Sequence, residues 1–325
     1  MSDRVRWGIL GAAKFARQFM APAIHAAYGA ELCALATSSA EKAAPFRALA
    51  PGLRVHDSYE ALLADPEIDA VYIPLPNHLH VDWTLRALDA GKHVLVEKPL
   101  GMRARDFDAV IAKRDATGLL AAEAFMIVHH PQWQRARELV QGGAIGELRH
   151  VDINFSYNNA GDTANIRNRA DAGGGAMPDI GVYIIGSARF VTGEEPLSVD
   201  FAEIEYEAGV DVYTRFAARF PSFRYSGMVS MRLQPRQDAV FQGTEGIVRL
   251  TAPFNASVFG EAQVRLETPD LNVTVERWPG HNQYKTQVEN FCRALREGVA
   301  YPCPLEFSRG TQQMIDMVFA AGGRD

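Results

Sequence analysis

"AVYIPLPNHLHVDWTLRALDAGKHVLVEKPLG", residues 70–101, holds two apolar runs separated by a stretch long enough for one helix. "AVYI" and "HVLV" are continuously apolar, the pattern of strands buried on both faces, and do not alternate between core and water. Two such strands joined by a helix lie side by side as parallel neighbours, because a parallel pair needs a long crossover connection. The pattern repeats outward from this unit. Upstream stand "RWGIL", "ELCALAT" and the weaker "RVHD", with helical stretches such as "DSYEALLADPE" between them, and downstream stands "LLAAEAF". Residues 1–122 therefore predict an α/β domain of the Rossmann kind, a doubly wound parallel sheet that binds a dinucleotide.

Beyond Phe125 the character changes. A helix is expected over "PQWQRARELVQGG", a strand near "LRHVDINFSY", and a helix from the glycine-rich "AGGGAMPDIGVY" to Val191. Strands then dominate, with "DVYTRFAARF", "RYSGMVSMRL", "GIVRLT" and "NVTVERW" tending to alternate apolar and polar residues between turn-forming segments. "YKTQVENFCRALREG" and "SRGTQQMIDMVFAA" close the chain as helices. Residues 123–325 thus predict an α+β domain with a large open mixed or antiparallel sheet.

Composition narrows the function. A length of 325 residues exceeds what one core usually organises, and 47% hydrophobic with 22% charged residues is ordinary for a globular protein. No apolar run is long enough to cross a bilayer, and the first strand begins at Val5 with no room for a signal peptide, so a cytoplasmic protein is expected. Cys33, Cys292 and Cys303 are odd in number and lack CxxC spacing, which points to neither disulfides nor zinc. A net charge of -6 without a basic stretch gives no footprint for nucleic acid or anionic membrane. A small-molecule partner is expected.

"WGILGAAKFA" places Gly11, Ala13 and Ala16 where a G-x-G-x-x-G/A fingerprint sits, after a strand and opening a helix. Gly11 permits the tight turn, and small residues let backbone amides approach a pyrophosphate at the helix start. Gly11, Ala12, Ala13, Lys14 and Phe15 are the expected cofactor residues of this turn. At the next strand end, "LATSSAEKA" offers Thr37 and Ser38 where an NAD-selective site presents a carboxylate to the ribose. Those hydroxyls, with Lys42 nearby, suit a 2′-phosphate, so NADP is expected and NAD is the alternative. In the competing reading Thr37 or Ser38 caps the following helix and Lys42 is a solvated charge.

In a doubly wound sheet ligands lie outside the carboxyl ends of the strands, which is where "VEKP" puts Lys98. The segment from Ile73 to Gly101 resembles, nearly position for position, the EKP region of the Gfo/Idh/MocA oxidoreductases, and the resemblance runs essentially the whole chain. "AGGGAMPDIGVY", residues 172–183, is similar to the second signature of that family, GGG-x-x-x-D-x-G-x-[HY]. Tyr183 stands where most members have histidine, as in the branch resembling glucose-fructose oxidoreductase and the dimeric dihydrodiol dehydrogenases. The resemblance implies that Lys98 and Tyr183 form the catalytic pair, with Asp179 on the same helix face orienting substrate or the lysine. One lysine suffices in magnitude. Ionising a free phenol near neutrality takes about 3.4 kcal/mol, and an ammonium about 4 Å away at an effective dielectric near 20 supplies about 4 kcal/mol.

The remaining candidates carry alternatives. Pro74, Leu75, Asn77, His80 and Glu97 are expected to contact the cofactor, with His80 as the reserve proton carrier. No metal is expected, since His78, His80, His129 and His130 lack a third ligand at recognisable spacing. Arg167 and Arg169 either hydrogen-bond polyol hydroxyls or order their loop, and Met126 and Phe155 either wall the substrate pocket or pack the core. The activity implied is hydride transfer between nicotinamide and a sugar, cyclic polyol or dihydrodiol hydroxyl. The alternatives are glycoside hydrolysis by transient oxidation with NAD, and a nucleotide-binding regulator without catalysis. A homodimer is expected through the sheet of the second domain, with Val229 and Met231 on the interface.

Overall fold

A computed structural model describes residues 4–323. The first stretch holds strands β1 (Val5–Leu10), β2 (Ala30–Ala36), β3 (Arg54–His56), β4 (Ala70–Ile73), β5 (His93–Val96) and β6 (Ala121–Glu123). Among them lie helices α1 (Ala21–Ala26), α2 (Ala40–Leu49), α3 (Tyr59–Leu63), α4 (His80–Asp89) and α5 (Asp106–Thr117). Helix α6 (Pro131–Gln141), strand β7 (Leu148–Asn158) and helix α7 (Val182–Thr192) follow. Next come β8 (Ser198–Glu207), β9 (Val210–Arg219), β10 (Arg224–Ser230), β11 (Arg232–Gly243), β12 (Ile247–Leu250), β13 (Gln263–Thr268) and β14 (Asn272–Arg277), and last α8 (Gln283–Glu297) and α9 (Leu305–Ala321).

Strands β1 to β6 form one parallel sheet in the order β3-β2-β1-β4-β5-β6. Burial explains the continuous apolar runs: all four residues of β4 and the last three of β5 are buried. The strand order reverses between β1 and β4, the position at which doubly wound sheets bind their ligand. The carboxyl ends of β1, β4 and β5 are therefore neighbours, although their residues are far apart in sequence.

The chain divides into two compact units, and the division differs from the expected boundary after residue 122. The first unit runs to His129 and takes back Asn282–Arg309, while the second holds His130–His281 and the residues from Gly310 onward. Helix α8 returns because its apolar stripe has a partner there. Val288, Phe291 and Cys292, at helical spacing, are buried, and the Phe291 ring lies 4.9 Å from Trp7 of β1.

The second unit is an eight-stranded sheet in the order β14-β13-β12-β11-β7-β10-β9-β8, antiparallel throughout except for the parallel pair of β7 and β10. The run "RYSGMVSMRL", read from sequence as one strand, is broken at Met231. Its two parts flank β7 on opposite sides as β10 and β11, and Met231 itself donates to the Val212 carbonyl and accepts from Asn159. Helices α6 and α7 cover one sheet face, where the Tyr225 hydroxyl donates to the Ile184 carbonyl at 2.9 Å. Val229 and Met231 are fully buried, and Val229 alternates in phase with Tyr225 on that helix-covered face. The expectation that these two residues form an intersubunit surface is thereby corrected. No helix of the described residues is long and apolar enough to cross a membrane.

Candidate functional site

In the first unit, β1 ends at a turn that only glycine fits. Gly11 has φ +102°, and a Cβ built there would stand 3.1 Å from the Leu75 side chain and 3.3 Å from the Tyr59 hydroxyl. A glycine turn at this strand end fits the close approach of a pyrophosphate. Ala12 and Ala13 are half-buried and Lys14 is exposed. The following helix widens into a π-turn over Ala16–Met20, and Phe15 packs against Phe19 and Tyr284, at 5.1 and 5.6 Å between centroids. Tyr284 belongs to α8, so the returning helix packs against this turn.

At the end of β2, Ser39 caps α2 by accepting from the Lys42 amide at 3.2 Å. The capping role weighed for Thr37 or Ser38 falls to their neighbour. Thr37 Oγ1 accepts from the Ser39 amide at 3.3 Å, Ser38 is exposed just beyond the strand, and Lys42 is exposed in the first turn of α2. The loop after β4 carries half-buried Pro74 and Asn77 and buried Leu75.

β5 ends in Glu97, Lys98 and Pro99, with a cis Lys98-Pro99 peptide. Glu97 receives the hydroxyl of buried Tyr72 at 2.5 Å and the Lys98 amide at 3.2 Å, so one carboxylate fixes the strand end. Lys98 is half-buried at the carboxyl edge of the sheet. His80 is not among the solvent-facing groups there. It is fully buried, with Nδ1 2.7 Å from the Pro99 carbonyl and Nε2 2.7 Å from the Leu75 carbonyl. Its expected contact with nicotinamide and its reserve role as proton carrier are corrected, because the ring is fully buried with each nitrogen against a main-chain carbonyl. Glu123, absent from the sequence reading, accepts from the Leu100 amide at 2.8 Å. Only its place at the end of the short run "AAE" signalled it.

In the second unit the glycine run bends tightly around two partners. Gly174 passes the Arg167 carbonyl so closely that a Cβ would stand 2.4 Å from it, and Gly175, at φ +131°, packs against Asp211. Asp211 accepts from the Met177 amide at 2.7 Å and so caps the π-turn Met177–Gly181 that opens α7. Asp179 lies in this turn and accepts the Tyr157 hydroxyl at 2.6 Å and Arg167 Nε at 2.8 Å. Burial and the Asp179 charge push the Tyr157 phenol well up, and the same carboxylate raises Arg167. Arg169 is exposed and forms a two-point pair with Asp171. Both arginines pair with carboxylates of this segment.

Tyr183, four residues beyond Asp179, is buried at 7% exposure. Its ring lies 5.9 Å from Phe155 and 5.6 Å from Phe254, and those two rings stack at 5.0 Å. Phe155 is thus part of the aromatic wall around the phenol, whereas Met126 is buried in the first unit. Tyr157, Asp211 and Phe254 were not singled out from sequence.

Residues 5–125 match the oxidoreductase family with an NAD-binding Rossmann fold, and residues 133–249 match the GFO/IDH/MocA C-terminal domain. The chain belongs to the Gfo/Idh/MocA oxidoreductases. It is 38% identical, over 90% of its length and 85% of the relative, to the dTDP-3,4-didehydro-2,6-dideoxy-alpha-D-glucose 3-reductase of Streptomyces violaceoruber. It is 31% identical, over 75% of its length and 74% of the relative, to the trans-1,2-dihydrobenzene-1,2-diol dehydrogenase of Xenopus tropicalis. Among solved structures, a 3-ketoreductase from Actinomadura kijaniata in complex with NADP and TDP-benzene has a TM-score of 0.89 at 30% identity, covering 98% of each chain. Single tyrosine-to-phenylalanine and lysine-to-alanine mutants of that reductase match as well.

His129 and His130 face protein partners. His129 is buried between Asn290 Nδ2 at 2.9 Å and the Tyr301 hydroxyl at 3.1 Å, and the buried His130 Nδ1 accepts from the Gln132 amide at the start of α6. Burial pushes both down to about 3. Among the described residues no group of three or more His, Cys, Asp or Glu side chains is placed to hold a metal ion.

Proposed function

We propose that the chain is an NADP-dependent dehydrogenase or reductase acting in the cytoplasm on a hydroxyl, or the corresponding ketone, of a sugar or cyclic polyol. The observation that carries this reading is Lys98 just beyond β5, on the carboxyl edge of the parallel sheet beside β4 and β1. Gly11 to Phe15 would hold the pyrophosphate, Thr37, Ser38 and Lys42 the 2′-phosphate, and Pro74, Leu75, Asn77 and Glu97 the nicotinamide side. NADP supplies the hydride acceptor when bound, and NADPH the donor. Tyr183 takes the proton of the substrate hydroxyl in oxidation and returns it in reduction. The Lys98 ammonium offsets negative charge developing on the reacting oxygen. Asp179, holding Arg167 and Tyr157, fixes the turn that aims Tyr183 and offers a carboxylate to substrate hydroxyls. The NADP and TDP ligands of the Actinomadura reductase support both the cofactor and a sugar-like substrate.

A screen of aldoses, polyols, trans-dihydrodiols and dTDP-linked ketosugars, each with NADP(H) and NAD(H), tests the reading through nicotinamide absorbance. Turnover of a ring hydroxyl or ketone with preference for NADP(H) is expected. No turnover of any member, or tighter binding of NAD than NADP in direct titration, overturns it.

A homodimer through the uncovered face of the second unit's sheet belongs to the same proposal. That face carries Met228 opposite Arg215 and Val240 opposite Arg249, with Arg215 over the Phe201 ring and paired with Glu203. Apolar and paired charged residues together suit a twofold contact more than a solvated face. Sedimentation at micromolar concentration should give twice the chain mass, and Met228→Glu should halve it. A wild-type species of one chain's mass excludes the dimer.

A further inference from the structure

The peptide between Pro99 and Leu100 is held at both ends by buried side chains from different elements. Its carbonyl faces His80 Nδ1 of α4 at 2.7 Å, and its N–H donates to Glu123 of β6 at 2.8 Å. His80 is fully buried and Glu123 is 4% exposed. Burial raises the Glu123 carboxyl, against the lowering by the Leu100 amide and the Ser308 side chain. The other nitrogen of His80 faces the Leu75 carbonyl, and Leu75 packs over Gly11 in the cofactor cradle.

We propose that His80 and Glu123 are positioning residues that clamp the Pro99-Leu100 peptide and thereby set where the Lys98 amine points, with His80 tying the same loop to the cofactor cradle. This rests on the reading of Lys98 as a catalytic group. Burial pushes His80 down to about 4, against the two carbonyls, which raise it, so at neutral pH the ring carries one proton. A neutral imidazole has one N–H and faces two carbonyls. The Nδ1–H form grips the loop of Lys98, and the Nε2–H form grips Leu75. Each function can therefore be removed separately, because an asparagine amide can place a donor where Nδ1 stands and a glutamine amide where Nε2 stands.

His80→Asn should keep kcat within about threefold and weaken NADPH binding, read by nucleotide fluorescence, because it holds Pro99 and releases Leu75. His80→Gln should keep NADPH affinity and lose about 10- to 100-fold in kcat on the best substrate of the screen. Adding Lys98→Met to His80→Gln should cost no more than Lys98→Met alone, since a residue acting through the lysine has nothing left to position. Losses that multiply overturn the proposal, as does a His80→Gln variant with wild-type kcat. Glu123→Gln retains an acceptor for the Leu100 amide and should stay near wild type, whereas Glu123→Met should lose kcat. If a His80 variant fails to fold, the Glu123 pair decides on the same criterion.

A readout without turnover separates this proposal from the reading beneath it. In 13C-lysine-labelled protein, the Lys98 Cε signal, assigned by its loss in Lys98→Met, should move in His80→Gln and stay in place in His80→Asn. A signal unmoved in both overturns the clamp. A moved signal with full activity in Lys98→Met keeps the clamp and removes the catalytic role of Lys98.

Discussion

Tyr183→Phe and Lys98→Met are each expected to lower kcat by about a hundred- to ten-thousand-fold, the range for loss of a group that moves or stabilises a proton in the transition state. Both substitutions spare the packing. Phenylalanine keeps the ring that Tyr183 packs near Phe155 and Phe254, and methionine keeps most of the lysine stem while removing the charge. NADP affinity should change by no more than a few fold in Tyr183→Phe, because the substitution removes one hydroxyl and alters none of the residues proposed to hold NADP, Gly11, Thr37 and Leu75 among them. Stopped-flow kinetics with parallel fluorescence titration checks both statements. Near wild-type turnover in Tyr183→Phe would remove the phenol from the proton path.

The second large effect is on stability. His80 and His129 are buried and held down to about 4 and about 3 by desolvation, whereas an unfolded histidine titrates near 6.5. Below that value the unfolded chain binds protons that the folded chain refuses, so stability is fully present above about pH 6.5 and declines as pH falls toward about 4. The two differences correspond to about 3 kcal/mol for His80 and about 5 kcal/mol for His129, comparable with the whole stability of an ordinary domain. The urea midpoint of the first unit should therefore drop steeply between about pH 6.5 and 4. His129→Gln, which keeps hydrogen-bonding groups for Asn290 and Tyr301 without a titrating ring, should flatten that slope. A midpoint level across this window in the wild type would mean that these rings are hydrated in the folded protein.

Local pattern was enough for the parallel sheet and for the residues at its carboxyl edge. Continuously apolar runs such as "AVYI" and "HVLV" have one stable home, the interior of a sheet covered on both faces. Gly11 and Lys98 were legible because each stands one or two residues beyond such a run, where chain direction alone sets which edge it occupies. Asp179 and Tyr183 were legible through a glycine run that marks the start of one helix. Family membership followed from the same two short segments.

Whatever depended on partners distant in sequence was decided only by the tertiary structure. Asp179 meets Tyr157 from 22 residues away, and the Met177 amide meets Asp211 from 34 residues away, and no local periodicity announces such pairs. Val229 reads as one more apolar strand residue, yet only the placement of α7 tells which face it occupies. Helix α8 is amphipathic wherever it packs, and its return to β1 rests on the fit of Phe291 against Trp7. His80 is the sharpest case: polar, next to a strand end and apparently destined for the ligand, it is turned inward by two carbonyls 5 and 19 residues away. A sequence shows which groups a segment carries, but where those groups point is set by hydrogen-bond partners that burial brings together.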